Sequence, residues 1–355
     1  MHCTMKILIV CFSSVSNVAC IVPQLFGLVR RYPEHEFTVL SRNFLEPLFS
    51  SLPVRFEGAD IRKEDYGLAG AFRIYRRLVN KGYDVVIDMQ GHWRSHIITS
   101  LLKAKGSKRY VISSEKGALR KLVSKGAAAS NPIKTIFERQ ADVWKKVGLQ
   151  TDNSFVMLPP ASEDKRKLVR DMYGEKRGAW IGIAPLSSSK GKELPFKKMK
   201  SIISHFDAKP DTTIFLFGAG EFEKEMLSDW QSMYNNVHAV YTRLKLDEEL
   251  ALMGELDVML SLDSANVHLA SLAGIPVVSV WGQTHPYGGF AGWKQSADNC
   301  IGVDMPCRPC SVRGDKECRF GDFRCLERID TAVVITRIEK IIGKGEVGHN
   351  MPDAV

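Results

Sequence analysis

No stretch of about 18 consecutive apolar residues occurs in this chain, so the sequence offers no membrane-spanning helix. The apolar run Ile7–Phe12 is too short for the core of a signal peptide, and no small-x-small cleavage pattern follows it. It reads as a first β-strand and places the protein in the cytoplasm. A dinucleotide fingerprint is also missing, because Gly218-Ala219-Gly220 lacks the third glycine and the rest of that unit. The basic residues come with no recognised nucleic-acid motif and no interleaved aromatics, which argues against nucleic acid as a partner. Acidic residues are scarce in one half only. Residues 1–170 carry 28 Lys and Arg against 15 Asp and Glu, and residues 171–355 carry 21 against 25, so the net charge of +9 belongs to the first half. Its densest piece, Lys103–Lys125, contains Lys116 and Arg120 and a single acid, Glu115. Such a face suits an anionic partner, a phosphorylated glycolipid or a membrane surface; the plainer reading is a solvated basic face.

At 355 residues, 45% hydrophobic and 25% charged, the chain is long enough for two domains with separate cores. The stretch Asp257–Thr284, DVMLSLDSANVHLASLAGIPVVSVWGQT, is the most informative. Two short, β-branched apolar runs (Asp257–Leu262 and Val277–Trp281) flank a helix at Ser264–Ala273, which makes a βαβ unit of a parallel sheet. Asp263, Ser264, Ala265 and Asn266 stand where the strand ends and the helix begins, the position at which free N–H groups and the helix dipole bind anions. His268 lies one turn further on. Taken alone, Asp263 caps the helix and His268 packs in the core. Similar alternation (strands at Met5–Cys11, Phe37–Leu40, Asp84–Asp88 and Arg109–Ile112, with a helix at Val18–Arg31) predicts a doubly wound sheet in the first half, with ligands beyond the carboxyl ends of its strands. A polar, proline-containing linker between Gln150 and Trp180 leads to a second sheet.

The string D-S-A-N-x-H-L-A-x-x-x-G-I-P-V-V-x-V-x-G-x-T resembles the donor-binding signature of the family 9 glycosyltransferases, the lipopolysaccharide heptosyltransferases. The resemblance covers Met5 to Ile342 and implies an α/β GT-B fold, two doubly wound Rossmann-like domains facing across a cleft. Residues 1–165 would bind the acceptor and 175–330 the nucleotide-sugar donor, with a helix at 331–345 packing back on the first domain. It implies inverting, metal-independent transfer of a heptose from an ADP-sugar to the lipopolysaccharide inner core. The enzyme would be a monomer, peripheral on the cytoplasmic face of the inner membrane.

The residues carry over in three places. The loop Ser187–Pro195 resembles S/T-x-x-x-K-x-W-P, with Lys192 on the diphosphate lysine and Leu194 in place of Trp; Ser187 and Gly218 join the donor set, with Glu221 or Glu223 on the nucleoside. Asp88–Ser95, D-M-Q-G-H-W-R-S, resembles D-x-Q-G-x-x-K/R-S, which puts Gln90 and Arg94 near the acceptor. Ser13–Val18 lies along S-x-x-G-D-V, placing Ser13 and Ser14 with the acceptor. Here the sequence departs: Asn17 replaces the family's general-base Asp, and an amide cannot take a proton. Either Asp88 or His92 substitutes, or the acceptor's phosphate assists, or the protein is a weak or inactive sugar-nucleotide-binding homologue. A nucleotide-sugar epimerase on the same fold needs an acid/base set that no motif supplies. Finally, Cys307, Cys310, Cys318 and Cys325 are spaced either for a structural zinc or as free or partly oxidised thiols, with no catalytic metal in either case.

Overall fold

The structure, a computed structural model, describes residues 4–240 and 244–348; Cys3 and the side chains of 129, 221, 222 and 344–348 lie outside the described residues. The chain divides into two compact units, Met1–Glu115 with Lys134–Pro159, and Lys116–Ile133 with Pro160–Val355.

In the first unit β1 (Lys6–Val10), β2 (Glu36–Arg42), β3 (Arg55–Ala59), β4 (Val85–Asp88) and β5 (Lys108–Val111) pair in parallel in the order β3-β2-β1-β4-β5. The helices are α1 (Val15–Ala19), α2 (Val22–Arg31), α3 (Gly67–Leu78) and α4 (Trp93–Ala104). β1 pairs on both sides, Ile7 with Phe37 and with Val85, and its Ile7–Val10 is buried on both faces, as a central parallel strand requires. The helix expected over Val18–Arg31 is two helices: Pro23 has no N–H to continue a helix but fits the first turn of a new one, so the chain breaks at Cys20–Ile21.

After β5 the chain leaves this unit. α5 (Lys116–Lys125) belongs to the second unit, and α6 (Ile136–Val147) returns. Thr135 starts α6 with a reciprocal cap, its Oγ1 accepting from the Glu138 N–H at 3.1 Å while the Glu138 carboxylate accepts from the Thr135 N–H at 2.7 Å. Trp144 of α6 is fully buried and meets Phe37 of β2 edge-on.

The second unit holds α7 (Glu163–Tyr173), β6 (Ala179–Ala184), α8 (Phe196–Asp207), β7 (Thr212–Leu216), α9 (Glu221–Ser232), β8 (Val237–Ala239), α10 (Leu246–Gly254), β9 (Val258–Leu262), α11 (Ala265–Leu272), β10 (Val277–Val280), β11 (Cys300–Ile301), α12 (Arg324–Glu327) and α13 (Thr331–Gly348). Its sheet is parallel, in the order β11-β10-β9-β6-β7-β8. The doubly wound α/β architecture is therefore present twice. Two boundaries differ from expectation. α13 places Val334 and Ile338 in the core of the second sheet, where its apolar stripe packs on α8, β9 and β10. The reassignment of 116–133 also redistributes charge: the first unit carries 20 Lys and Arg against 13 Asp and Glu, the second 29 against 27, so the net values are +7 and +2.

Because Trp144 is the main side chain fastening the returning helix to the first sheet, Trp144→Ala is expected to lower the stability of that unit by about 3–5 kcal/mol. Denaturant unfolding followed by fluorescence of the remaining tryptophans measures this.

Candidate active site

Parallel strands bring the loops after them to one edge, where backbone donors and helix starts collect. In the second unit this edge carries a lysine. A 3-10 turn (Lys190–Lys192) after β6 points Lys192 at the end of β9, where its Nζ lies 2.9 Å from Asp263 Oδ2 and 3.2 Å from the Asp263 carbonyl oxygen. Both side chains are largely screened, at 16% and 13% exposure. The lysine loop is wedged. The Gly191 N–H donates to the Gly314 carbonyl (3.2 Å), and the Gly191 carbonyl accepts from the Gln283 N–H (2.8 Å). A Cβ on Gly191 would stand 2.0 Å from Gln283 Oε1; one on Gly314, whose φ is +73°, would strike Lys192 Cγ at 2.6 Å.

Asp263 faces this lysine and does not cap α11. Ser264 occupies the cap position, but its Oγ turns to Ser261 Oγ (3.1 Å), and its side chain makes no cap hydrogen bond. The first-turn N–H groups, including those of Ala265 and Asn266, are thus left for an anion. His268 is 5% exposed; burial pushes its pKa down to about 4, Asp263 opposing and Lys192 adding to the shift, so the imidazole is neutral.

The remaining donor candidates are more weakly placed. The Ser187 N–H donates to Glu193 Oε1 (3.3 Å), bracing its loop from within. A Cβ on Gly218 would meet Leu227 and Glu223. Glu223 folds onto its own loop, accepting the Ala219 N–H at 2.5 Å, and burial raises its pKa. Glu221 is the first residue of α9, and its side chain lies outside the described residues.

Sequence reasoning missed the supports of this site. Gln283 ties the lysine loop to the cysteine segment, its carbonyl accepting from the Cys310 N–H (3.0 Å) and its Nε2 donating to Lys316 O (2.9 Å). Arg308, 3% exposed between two of the cysteines, donates to the carbonyls of Gly282 (2.6 Å), Trp281 (2.7 Å), Thr284 (3.2 Å) and Val303. Three of these carbonyls, those of Trp281, Gly282 and Thr284, belong to the loop after β10, which the guanidinium so holds in one shape. The adjacency of Gly282-Gln283-Thr284 to a strand's carboxyl end was the available signal. A hollow opens beside Asp263, with Trp281, Thr284 and His285 on one side and Leu119, Leu122 and Val123 of α5 on the other. Thr284 is 3% exposed, and its Oγ1 is buried without a hydrogen-bond partner among the described residues. Lys116 and Arg120, assigned to the first domain from the sequence, are exposed on the α5 of this unit instead, because Leu119 and Leu122 draw α5 onto the hollow.

The four clustered cysteines are free thiols. Burial raises the pKa of Cys310, and Cys307 and Cys318 add to the rise, so these sulfurs are neighbours. Burial pulls Cys318 up as well, but the N–H groups of Phe320, Phe323, Asp322 and Gly321 together bring it below the usual thiol value. Among the described residues no group of three His, Cys, Asp or Glu side chains is arranged to hold a metal ion.

In the first unit the loop after β1 is tied to the turn after β4 by Gln90, whose Oε1 accepts the Phe12 N–H at 2.7 Å. Asn17 donates its amide to Ser13 Oγ (2.7 Å), and Ser14 is exposed at the start of α1. Asp88, a candidate base, is corrected: it is fully buried, its Oδ1 accepts the N–H groups of Gln90 (3.1 Å) and Gly91 (2.8 Å), and its Oδ2 lies 3.8 Å from Arg109. A carboxylate spent on a turn and facing an arginine inside the protein does not meet an acceptor hydroxyl. His92 is exposed at the cap of α4, tilted against Trp93. Arg94 is 9% exposed and lies 4.7 Å over the Trp93 ring.

A doubled parallel α/β fold with a lysine and an open helix start at one strand edge is built to receive an anionic ligand. Glycosyl transferase family 9 from Veillonella parvula DSM 2008 shares that fold, with a TM-score of 0.76 at 16% identity over 97% of this chain and 99% of that one. E. coli heptosyltransferase WaaC, solved with ADP, gives 0.66 at 17% identity over 95% of this chain and 100% of its own. Lipopolysaccharide heptosyltransferase 1 of Pseudomonas aeruginosa is 23% identical over 366 aligned residues, covering 95% of this chain and 98% of that protein. The model of glycosyltransferase family 9 (heptosyltransferase) matches residues 71–320, and the chain belongs to that family.

The neutral His268 has a pH consequence. The unfolded chain takes up its proton near pH 6.5, the folded one near pH 4, so stability is complete above pH 6.5 and falls as pH drops from 6.5 towards 4, by up to about 1.4 kcal/mol per pH unit. His285, whose pKa burial also lowers to about 4, adds a slope of the same sign, and Glu249, raised to about 7 by burial, one of opposite sign, so the share of His268 is read as a difference: the gap in urea midpoint between the native chain and His268→Gln is expected to shrink as pH falls from 7.5 to 4.5.

Proposed function

We propose that this glycosyltransferase moves a heptose from an ADP-activated donor to an anionic lipopolysaccharide inner-core acceptor, with inversion and without a metal. The observation that carries the reading is the Lys192–Asp263 pair beside the uncapped start of α11. The names of the relatives, a lipopolysaccharide heptosyltransferase and a heptosyltransferase solved with ADP, support the choice of donor and acceptor.

The acceptor oxygen bonds to the anomeric carbon as the bond from that carbon to the diphosphate breaks, and the electron pair leaves on the diphosphate. Lys192 and the amides of Ala265 and Asn266 take up that charge, the stabilisation such a step needs most. Asp263 holds the lysine in position and offers its carboxylate to the sugar. Neutral His268, inside the same turn, steadies both. Ser187, Gly218 and Glu221 belong to the nucleotide side. In the acceptor unit, Ser13, Ser14, Gln90 and Arg94 line the strand edge, and the proton of the attacking hydroxyl goes to His92, since Asn17 is an amide and Asp88 is buried.

A second reading is favoured by Asn17 itself: its amide donates to Ser13 Oγ, where a carboxylate would accept, and a protein without a positioned base binds the donor and turns over slowly or not at all. Calorimetry with ADP, and product formation from ADP-heptose and truncated inner-core lipopolysaccharide, separate the two. Lys192→Ala is expected to weaken ADP binding at least about tenfold, in line with the loss of a charge-assisted phosphate contact. His92→Ala is expected to lower kcat by roughly 10²–10⁴-fold. ADP binding without product from the native protein, and product from Asn17→Asp, selects the silent homologue. If ADP does not bind, the donor assignment fails.

A further inference from the structure

The segment that carries four of the cysteines reaches the donor lysine through a short run of hydrogen bonds. The Cys310 and Ser311 N–H groups both donate to the Gln283 carbonyl, at 3.0 and 3.3 Å. Gln283 in turn donates its N–H to the Gly191 carbonyl (2.8 Å), one residue before Lys192. A second route runs along the segment itself. Buried Ser311 accepts the Gly314 N–H on its Oγ (2.9 Å), and the Gly314 carbonyl accepts the Gly191 N–H (3.2 Å). Arg308 adds a third link, since its guanidinium gathers the carbonyls after β10 while its own carbonyl accepts the Ala127 N–H (2.8 Å) just after α5. A displaced Cys310 thus pulls on the loop of Lys192 from two sides.

The thiols themselves are gathered and unequal. Cys310 lies near enough to Cys307 and Cys318 for both to add to the rise that burial gives its pKa, and Cys325 feels all three of the others. Cys325 is buried, which pushes it up to about 11. Cys318 is half-buried on a loop whose Glu317, Arg319 and Phe320 are exposed, so solvent reaches it. The chain curls round its sulfur, with φ of +73° at Gly321 and +44° at Phe323, and the Gly321 N–H donates to the Cys318 carbonyl (2.8 Å). Burial raises the pKa of Cys318, but the N–H groups of Phe320, Phe323, Asp322 and Gly321, which the curl turns to the sulfur, outweigh it. Asp322 Oδ1 stands 4.0 Å from that sulfur, yet its charge is taken by Arg324, whose Nη2 is 3.0 Å from Asp322 Oδ2. A solvent-reached thiol whose anion is held by N–H groups, with a second thiol beside it, is the arrangement that reacts with peroxides.

We propose that Cys318 and Cys310 form a peroxide-sensitive dithiol which, oxidised to a disulfide, loosens the Lys192 loop and lowers the affinity of the donor site. The inference rests on the donor reading of Lys192. The Cys318 thiolate attacks one oxygen of a hydroperoxide; a sulfur–oxygen bond forms as the oxygen–oxygen bond breaks, and the electron pair leaves on the second oxygen, which takes a proton and departs as water or an alcohol. Sulfur is oxidised by two electrons and the peroxide is reduced by two. The sulfur of Cys310, giving up its proton, then attacks the sulfenic sulfur of Cys318. The sulfur–sulfur bond forms, the sulfur–oxygen bond breaks, and the hydroxide leaves as water with the proton from Cys310. A thiol reductant reverses the change by exchange. Both thiols are free in the structure, so bond formation draws Cys310 towards Cys318 and displaces the N–H that holds Gln283.

The test treats the full, reduced chain with hydrogen peroxide, locates thiols and disulfides by mass spectrometry, and measures ADP affinity before and after. A Cys310–Cys318 disulfide is expected, with ADP affinity lowered at least about tenfold and restored by dithiothreitol. Amide hydrogen exchange at Gly191, Gln283 and Cys310 is expected to quicken, a readout that needs no ADP. Cys310→Ser is expected to stop at a sulfenic acid on Cys318, which dimedone traps. Cys318→Ser and Cys318→Ala are expected to keep the ADP affinity of the reduced native chain through the treatment, and Cys307→Ser to respond as the native chain does. The proposal is overturned if these thiols survive peroxide, if the disulfide joins another pair, or if elemental analysis finds a metal ion held by these thiolates in the purified native chain. It is equally overturned by a Cys310–Cys318 disulfide that leaves exchange at Gly191 unchanged, or that leaves the ADP affinity of a binding chain unchanged. If the reduced chain does not bind ADP at all, the donor reading fails, and the disulfide and the amide exchange still decide whether the dithiol governs the loop.

Discussion

A single ammonium group organises the second unit. Lys192 comes from the loop after β6 and ends on the carboxylate that follows β9, and that reach requires every neighbouring loop to be held. Gly191 must be a glycine to let Gln283 approach; Gly314 must be one to let the lysine stem pass; Arg308 must gather three carbonyls so that the loop after β10 keeps its shape. A charged pair at intermediate burial contributes little stability by itself, since desolvation offsets much of the attraction. Its value is positional: the paired carboxylate keeps the ammonium fixed beside the open start of α11.

The first unit shows the same economy applied to a different end. Its rim is rigid because Gln90 ties two loops together and Asp88 is consumed in the turn between them. Asp88 is buried as a structural element, and Asn17 presents an amide bonded to Ser13 Oγ.

Much of the architecture was legible because it is local. Alternating apolar runs and amphipathic segments announce a doubly wound sheet, and the D-S-A-N-x-H string marks the helix start at which Lys192, Asp263 and His268 converge. The failures are equally physical. Pro23 read as a residue inside one helix, although its missing N–H marks the first turn of a new one. Lys116 and Arg120 read as part of a basic first domain, since charge counts follow the chain and not the contacts that take α5 elsewhere. Asp88 read as a usable base, since a side chain's accessibility is not written beside it.

The sequence by itself determined the fold class and the family, because both depend on residue type and short-range spacing. Only the tertiary structure decided which groups meet and which are reachable. Lys192 and Asp263 stand 71 positions apart, and burial silences Asp88 and keeps His268 neutral. The physical reason is that ion pairing and desolvation act over a few ångströms of space whatever the separation along the chain, so they exist only once the sheets have formed.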